Sequence, residues 1–251
     1  MRRLVVALTG CLIVASCASQ SIATTSIPTR RQATVLPRGR WRLVRAYTPA
    51  QLARWSPAPW PKSNSYELAC FARRDVHVHR YLELSITNHK CDGLPESGAW
   101  LQSQQMRRYG LYEARIYLPA SSEGKIANWP AFWLENPIDW PVNGEIDIME
   151  SWAGEDCQQI HYGPRANVKR SEKTVPQCVL SKPGWYTFGV WWTPGRVRWY
   201  IDGRPTGTVD KHVASDPMMI VLDYTAWRGQ LDNLAPATMR VAWVRIYRSK
   251  F

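Results

Sequence analysis

The stretch "NGEIDIMESW" (143–152) decides how the rest of the chain is read. It sets three carboxylates, Glu145, Asp147 and Glu150, within six residues of an otherwise apolar run. On a helix, residues two apart point about 200° away from each other, so Glu145 and Asp147 would not meet. On a strand they share a face, because side chains alternate with a period of two. Ile146 and Ile148 alternate against them, and both are β-branched strand formers. The segment reads as a strand. Glu150 is out of phase with the pair, since Met149 occupies the position that would continue the acidic face. Either Glu150 points to the opposite face, or a β-bulge inserts one residue and returns it to the first.

Working outward, the same period recurs. "DVHVHRYLELSIT" (75–87) and "YGLYEARIYLP" (109–119) read as strands. "GWYTFGVWWTPGRVRWYIDG" (184–203) reads as two more, with turns at Pro194-Gly195 and Asp202-Gly203. The last segment, "TMRVAWVRIYRS" (238–249), places Met239, Val241 and Trp243 on one face. No segment keeps a helical period over three turns, and no internal repeat is present. Short alternating strands between regular turns predict an all-β domain, a sandwich of two stacked antiparallel sheets.

The chain begins "MRRLVVALTGCLIVASC" (1–17), with two arginines followed by an apolar core too short to span a bilayer comfortably. This reads as a secretory signal, and "VASC" resembles a bacterial lipobox in which Cys17 is lipidated. Plain cleavage near Ala18 is the alternative, and either route exports the protein. Residues 18–38 are small, polar and punctuated by proline, as in a flexible tether. The domain proper is expected over 39–251. Beyond Cys17 four cysteines remain, an even number in an exported chain, which predicts two disulfides with three connectivities open. The local pairs Cys70–Cys91 and Cys157–Cys178 are favoured, each closing a loop worth roughly 3 kcal/mol. No cysteine spacing fits a zinc site.

Composition narrows the partners. Fourteen Trp and eleven Tyr against four Phe suit surfaces that are half wet, such as a groove that stacks sugar rings or bases. The formal charge is +12, of which Arg2 and Arg3 belong to the leader. Apart from "PTRR" (28–31) and "PRGRWRLVR" (37–45), the arginines are spread along the strands rather than clustered, so a solvated surface explains them. Three carboxylates at the centre of a groove would repel phosphates, which ranks nucleic acid last, and none is expected as a partner.

Taken in order, "RYGLYEARIYLP", "NWPAFWLE" (128–135), "WPVNGEIDIMES" (140–151), "HYG" (161–163) and "VAWVRIY" (241–247) resemble glycoside hydrolase family 16. Laminarinases, lichenases, agarases and carrageenases belong to that family. The resemblance runs from about residue 66 to the C-terminus. It implies a β-jelly roll of two curved sheets with substrate across one face, and a bulge that swings Glu150 onto the acidic face. It further implies Glu145 as nucleophile, Glu150 as general acid/base and Asp147 as the charge between them. Glu113, Arg115, Trp129, Trp133 and His161 match the family's substrate-binding positions, with Trp152 and Trp227 as weaker cleft candidates. Ala242 stands where many members carry a calcium-binding aspartate, so neither that metal nor a cofactor is expected. "VLDYTAWRGQLDNLAPA" departs from laminarinase wording and leaves the linkage open.

The function implied is a retaining endo-glycosidase acting as a monomer on a β-linked polysaccharide, by default β-1,3- or mixed β-1,3/1,4-glucan. It would be secreted, or held at the membrane only through a lipid on Cys17. A non-hydrolytic polysaccharide-binding protein would be expected to lose the catalytic carboxylates. A transglycosylase would keep the same residues and differ only in its acceptor.

Overall fold

The computed structural model describes residues 36–59, 65–163, 172–173, 177–230 and 232–249. The leader with Cys17, and the tether as far as residue 35, lie outside the described residues. In chain order the strands begin with β1 (Trp41–Tyr47), β2 (Ala69–Phe71), β3 (Val76–Val78), β4 (Leu82–Ile86) and β5 (Glu96–Gln102). Next come β6 (Gly110–Leu118), β7 (Trp129–Glu135), β8 (Glu145–Trp152), β9 (Glu155–Tyr162), β10 (Glu172–Lys173) and β11 (Gln177–Leu180). β12 (Gly184–Thr193), β13 (Arg196–Ile201), β14 (Arg204–Val209), β15 (Met219–Thr225) and β16 (Ala237–Ser249) complete the series. Among the described residues, helix is confined to one turn, α1 (Pro49–Leu52), and a 3-10 turn at Arg73–Asp75.

The strands form two eight-stranded sheets. The first runs β14-β13-β12-β6-β16-β4-β3, with β1 also paired to β16. The second runs β10-β9-β8-β7-β15-β5-β2, with β11 also paired to β9. Pairing is antiparallel except for β2, which lies parallel to β5. Alternation along each strand sends one set of side chains between the sheets. Phe132, Ile146, Ile148, Ile160 and Leu222 of the second sheet join Tyr112, Ile116, Phe188, Val190 and Trp192 of the first in one buried cluster. Each such side chain contributes about 1.5–3 kcal/mol on burial.

Turn chemistry follows the expected sites. Asp202 (φ 48°) and Gly203 (φ 76°) are both left-handed, the arrangement that suits the right-handed twist of the flanking strands. Two strand readings are corrected. Residues 75–87 divide into β3 and β4, because residues 79–81 form a turn closed by the His79 N–H donating to the Tyr81 carbonyl. Trp243 does not share the core face of Met239 and Val241: a register shift between Val241 and Trp243 moves the inward positions to Val244 and Ile246. Trp243 instead lies under the Arg245 guanidinium, 4.1 Å from the ring centroid. Both local disulfides are present, Cys70–Cys91 and Cys157–Cys178. The second crosses directly between β9 and β11.

Candidate active site

The three carboxylates lie on β8, near the middle of the second sheet. Against β9, Asp147 faces Gln159 and Glu150 faces Cys157, so three steps along β8 meet two along β9. Against β7, Asp147 faces Trp133 and Met149 faces Phe132, which leaves Ile148 as the extra residue. Ile148 and Met149 are consecutive, and both are fully buried between the sheets. This is a β-bulge, and it returns Glu150 to the outer face beside Glu145 and Asp147.

The bulge leaves backbone groups that the ladder does not pair, and side chains take them. The Trp199 indole, on the first sheet, donates across the sandwich to the Asp147 carbonyl at 2.7 Å. The Glu150 N–H donates to Asp156 Oδ1 at 3.1 Å. The strand is entered through Gly144 at φ 90°, where a Cβ would stand 2.2 Å from the Ala214 Cβ. Only glycine fits that approach.

The outer face of this sheet forms the floor of a cleft of about 620 Å³. Glu145, Asp147, Glu150, Trp129, Trp133 and His161 all line it. Indole donors hold both glutamates: Trp129 Nε1 donates to Glu150 Oε1 at 2.9 Å, and Trp140 Nε1 donates to Glu145 Oε2. Gln159 Nε2 donates to the second Glu150 oxygen at 2.9 Å. His161 Nε2 lies 3.5 Å from Glu145 Oε1 and 3.3 Å from Asp147 Oδ2, between the two carboxylates. Trp227 packs against Trp129, Trp152 and Tyr66, the last stacked at 5.1 Å with planes 3° apart.

Burial dominates the electrostatics. It raises Glu150 to about 7, helped by the Asp147 charge and opposed by the Trp129 hydrogen bond, His161 and Gln159. Burial also pushes Glu145 well above the usual carboxylate range, with Asp147 adding to the effect and the Trp140 hydrogen bond opposing it. The protons of such a cluster belong to the group rather than to one residue. The arrangement can therefore hold one carboxyl protonated and another ionised at near-neutral pH, which acid-assisted displacement at a sugar carbon requires.

Glu113 and Arg115 are not part of this site, and the substrate contacts expected of them are corrected. β6 belongs to the first sheet, where Tyr112, Ala114 and Ile116 face the core, so Glu113 and Arg115 face the opposite side of the molecule. Arg115 pairs with Asp202 at 2.9 Å, and Glu113 is buried opposite Gly189 and Arg245. Several cleft residues escaped the reading of the motifs: Trp100, Glu135, Trp140, Gln159 and Asp223. Gln159 was accessible from alternation alone, two positions before His161. Trp140 stands inside the quoted motif. Asp223 accepts from Trp133 Nε1 at 2.7 Å across ninety positions of sequence, which no local pattern reveals.

Glu145, Asp147 and His161 are the set among the described residues whose donor atoms, within 4.8 Å of one another, could hold a metal ion. Two carboxylates and an imidazole fall short of the six to eight oxygens that calcium takes.

The Glycosyl hydrolases family 16 model matches residues 64–245. The beta-glucanase of Bacillus licheniformis is 26% identical over 151 residues, covering 57% of this chain and 60% of that protein. The beta-glucanase of Fibrobacter succinogenes is 28% identical over 167 residues, covering 61% of this chain and 47% of that protein. The chain thus spans about 60% or less of the length of these two curated relatives. The laminarinase of Rhodothermus marinus superposes with a TM-score of 0.67 at 21% identity, covering 84% of this chain and 98% of that one. A structure reported with endo-acting O-glycanases of the human gut microbiota gives 0.70 at 18% identity, covering 86% and 93%. At these identities the structures speak to the fold: the two-sheet sandwich expected from the strand pattern, and the jelly roll implied by the resemblance. The family model reaches from residue 64, ahead of β2, into β16 and takes in the whole bulged strand, so the chain belongs to glycoside hydrolase family 16.

Proposed function

We propose that the chain is a retaining endo-glycosidase that cleaves β-linked glucan, with Glu145 as nucleophile and Glu150 as acid/base. The observation that carries this reading is the bulge, which puts Glu145, Asp147 and Glu150 on one face at the floor of an aromatic cleft. Glu150 protonates the departing oxygen while Glu145 attacks the sugar carbon. Glu150 then takes a proton from water as the glycosyl ester is hydrolysed. A carboxyl near 7 suits a group that must both give and recover a proton near neutrality. Asp147 keeps that proton on Glu150 by repulsion. The beta-glucanase relatives support glucan as the substrate.

The test is product analysis on laminarin, mixed-linkage glucan, agarose and carrageenan, with product anomers followed by NMR from the first minutes. The expected result is β-anomeric oligosaccharides from a glucan, with turnover reduced about 10²–10⁴-fold in Glu150→Gln and at least as much in Glu145→Gln. Inverted product, or full activity in either variant, would sink the mechanism. Tight binding without products would favour the binding-protein reading.

Export with lipidation at Cys17 is the second element of the proposal, resting on "VASC" after the apolar leader. Metabolic labelling with a fatty acid should mark the wild type and not Cys17→Ser. Equal labelling of both would refute the anchor.

A further inference from the structure

Glu135 ends β7 and is the cross-strand partner of Glu145. Directly opposed strand residues have Cβ atoms about 4.5–5.5 Å apart, so any sugar carried on Glu145 comes within reach of Glu135. The side chain lines the cleft, is 5% exposed, and its Oε1 is buried without a hydrogen-bond partner. Leaving a buried carboxyl oxygen unsatisfied is costly, and no contact within the fold offsets that cost for Oε1. Burial and the Asp147 charge raise this carboxyl to about 7.

The polar atoms around it share a bias. The indole N–H groups of Trp129, Trp133 and Trp140 already donate to Glu150, Asp223 and Glu145. The indole of Trp100 donates to Gln102, and the amide N–H of Gln159 to Glu150. Glu135 Oε1 and Gln159 Oε1 are buried acceptors of the cleft without a hydrogen-bond partner. Such acceptors fit a ligand that brings hydroxyl or amine protons. They repel sulfate and carboxylate, which bring only acceptors and negative charge.

We propose that Glu135 is a substrate-binding residue that accepts a hydroxyl proton from the sugar carried on Glu145, and that it bars carboxylated and sulfated glycans from the cleft. The proposal rests on the glycosidase reading for the position of that sugar. It narrows the substrate to glycans without acidic substituents.

The experiment compares a soluble β-glucan with the same glucan carboxymethylated, in wild type, Glu135→Gln and Glu135→Leu. In parallel, calorimetry measures binding of matched neutral and carboxylated oligosaccharides to Glu145→Gln and to Glu145→Gln/Glu135→Leu. Wild type should prefer the neutral glucan at least tenfold in kcat/KM. Glu135→Leu should raise KM for neutral glucan about tenfold with a smaller change in kcat, and should narrow the preference. Glu135→Gln keeps an acceptor but not the charge, so neutral KM should stay within about threefold while the preference still narrows. Unchanged KM in the leucine variant, or unchanged preference in both, would overturn the proposal. If no glucan is cleaved, the enzyme reading fails, and the calorimetric ratio still decides Glu135: a preference lost with leucine supports it. An equal ratio, or no binding of either ligand, overturns it.

Discussion

Glu150 must be acidic enough to release a proton and basic enough to retrieve it. Burial and Asp147 raise its carboxyl, while Trp129, His161 and Gln159 lower it, and the balance falls at about 7. Turnover should therefore decline as pH rises through about 7, because the acid form is lost. Trp129→Phe removes a hydrogen bond that favours the anion, so the alkaline limb of kcat/KM should move to higher pH. Asp147→Asn removes a raising charge, and the limb should move down as kcat falls. Limbs that stay in place in both variants would show that another group titrates. Glu113 offers a control. Burial raises it to about 8 against the pull of Arg245, yet it faces away from the cleft. Glu113→Gln should leave kcat and KM unchanged, whereas a role in sugar binding would raise KM.

At the scale of elements, the strand character of residues 145–150 is legible because Ile146 and Ile148 alternate with carboxylates. The return of Glu150 is not, because a bulge exists only relative to the partner strands that oppose two residues with one. The family resemblance supplied it where the period could not. Glu113 and Arg115 show the opposite failure. The resemblance alone gave them a place in the site, and which sheet β6 joins depends on its pairing with β12 and β16, more than sixty positions further on. Trp133 and Asp223 likewise meet only through the pairing of β7 with β15. Deleting Met149 tests the element itself. The shortened strand reads Glu-Ile-Asp-Ile-Glu, in which alternation alone holds all three carboxylates on the outer face. Activity should survive in part, while loss of the buried methionine lowers stability by about 2–5 kcal/mol. Loss of all activity in a folded deletion variant would mean that the bulge itself sets the spacing of the site.

For the whole molecule, the buried carboxyls link stability to pH. Glu113, Glu135 and Glu150 are raised to about 8, 7 and 7 by burial. A carboxyl raised on folding favours the folded state fully below its unfolded value near 4.5, and that contribution disappears as pH climbs through the folded value. The melting temperature should therefore drop between pH 5 and pH 9. Glu113→Gln should shrink the accompanying loss of folding free energy by on the order of 3 kcal/mol. A flat profile in the wild type would show that these groups ionise freely in the folded protein.

The Trp199 bond to the Asp147 carbonyl has a consequence for hydrogen exchange. The donor belongs to one sheet and the acceptor to the other, so the indole proton sits on the seam that separation of the layers would break. Protons of this kind exchange with solvent only when the largest cooperative unit opens. The Trp199 indole proton should persist in heavy water as long as the slowest backbone amides. That of Trp140, a residue 47% exposed, should be lost far sooner despite its bond to Glu145. The seam proton then works as a clock for the catalytic strand, counting how often the two layers part.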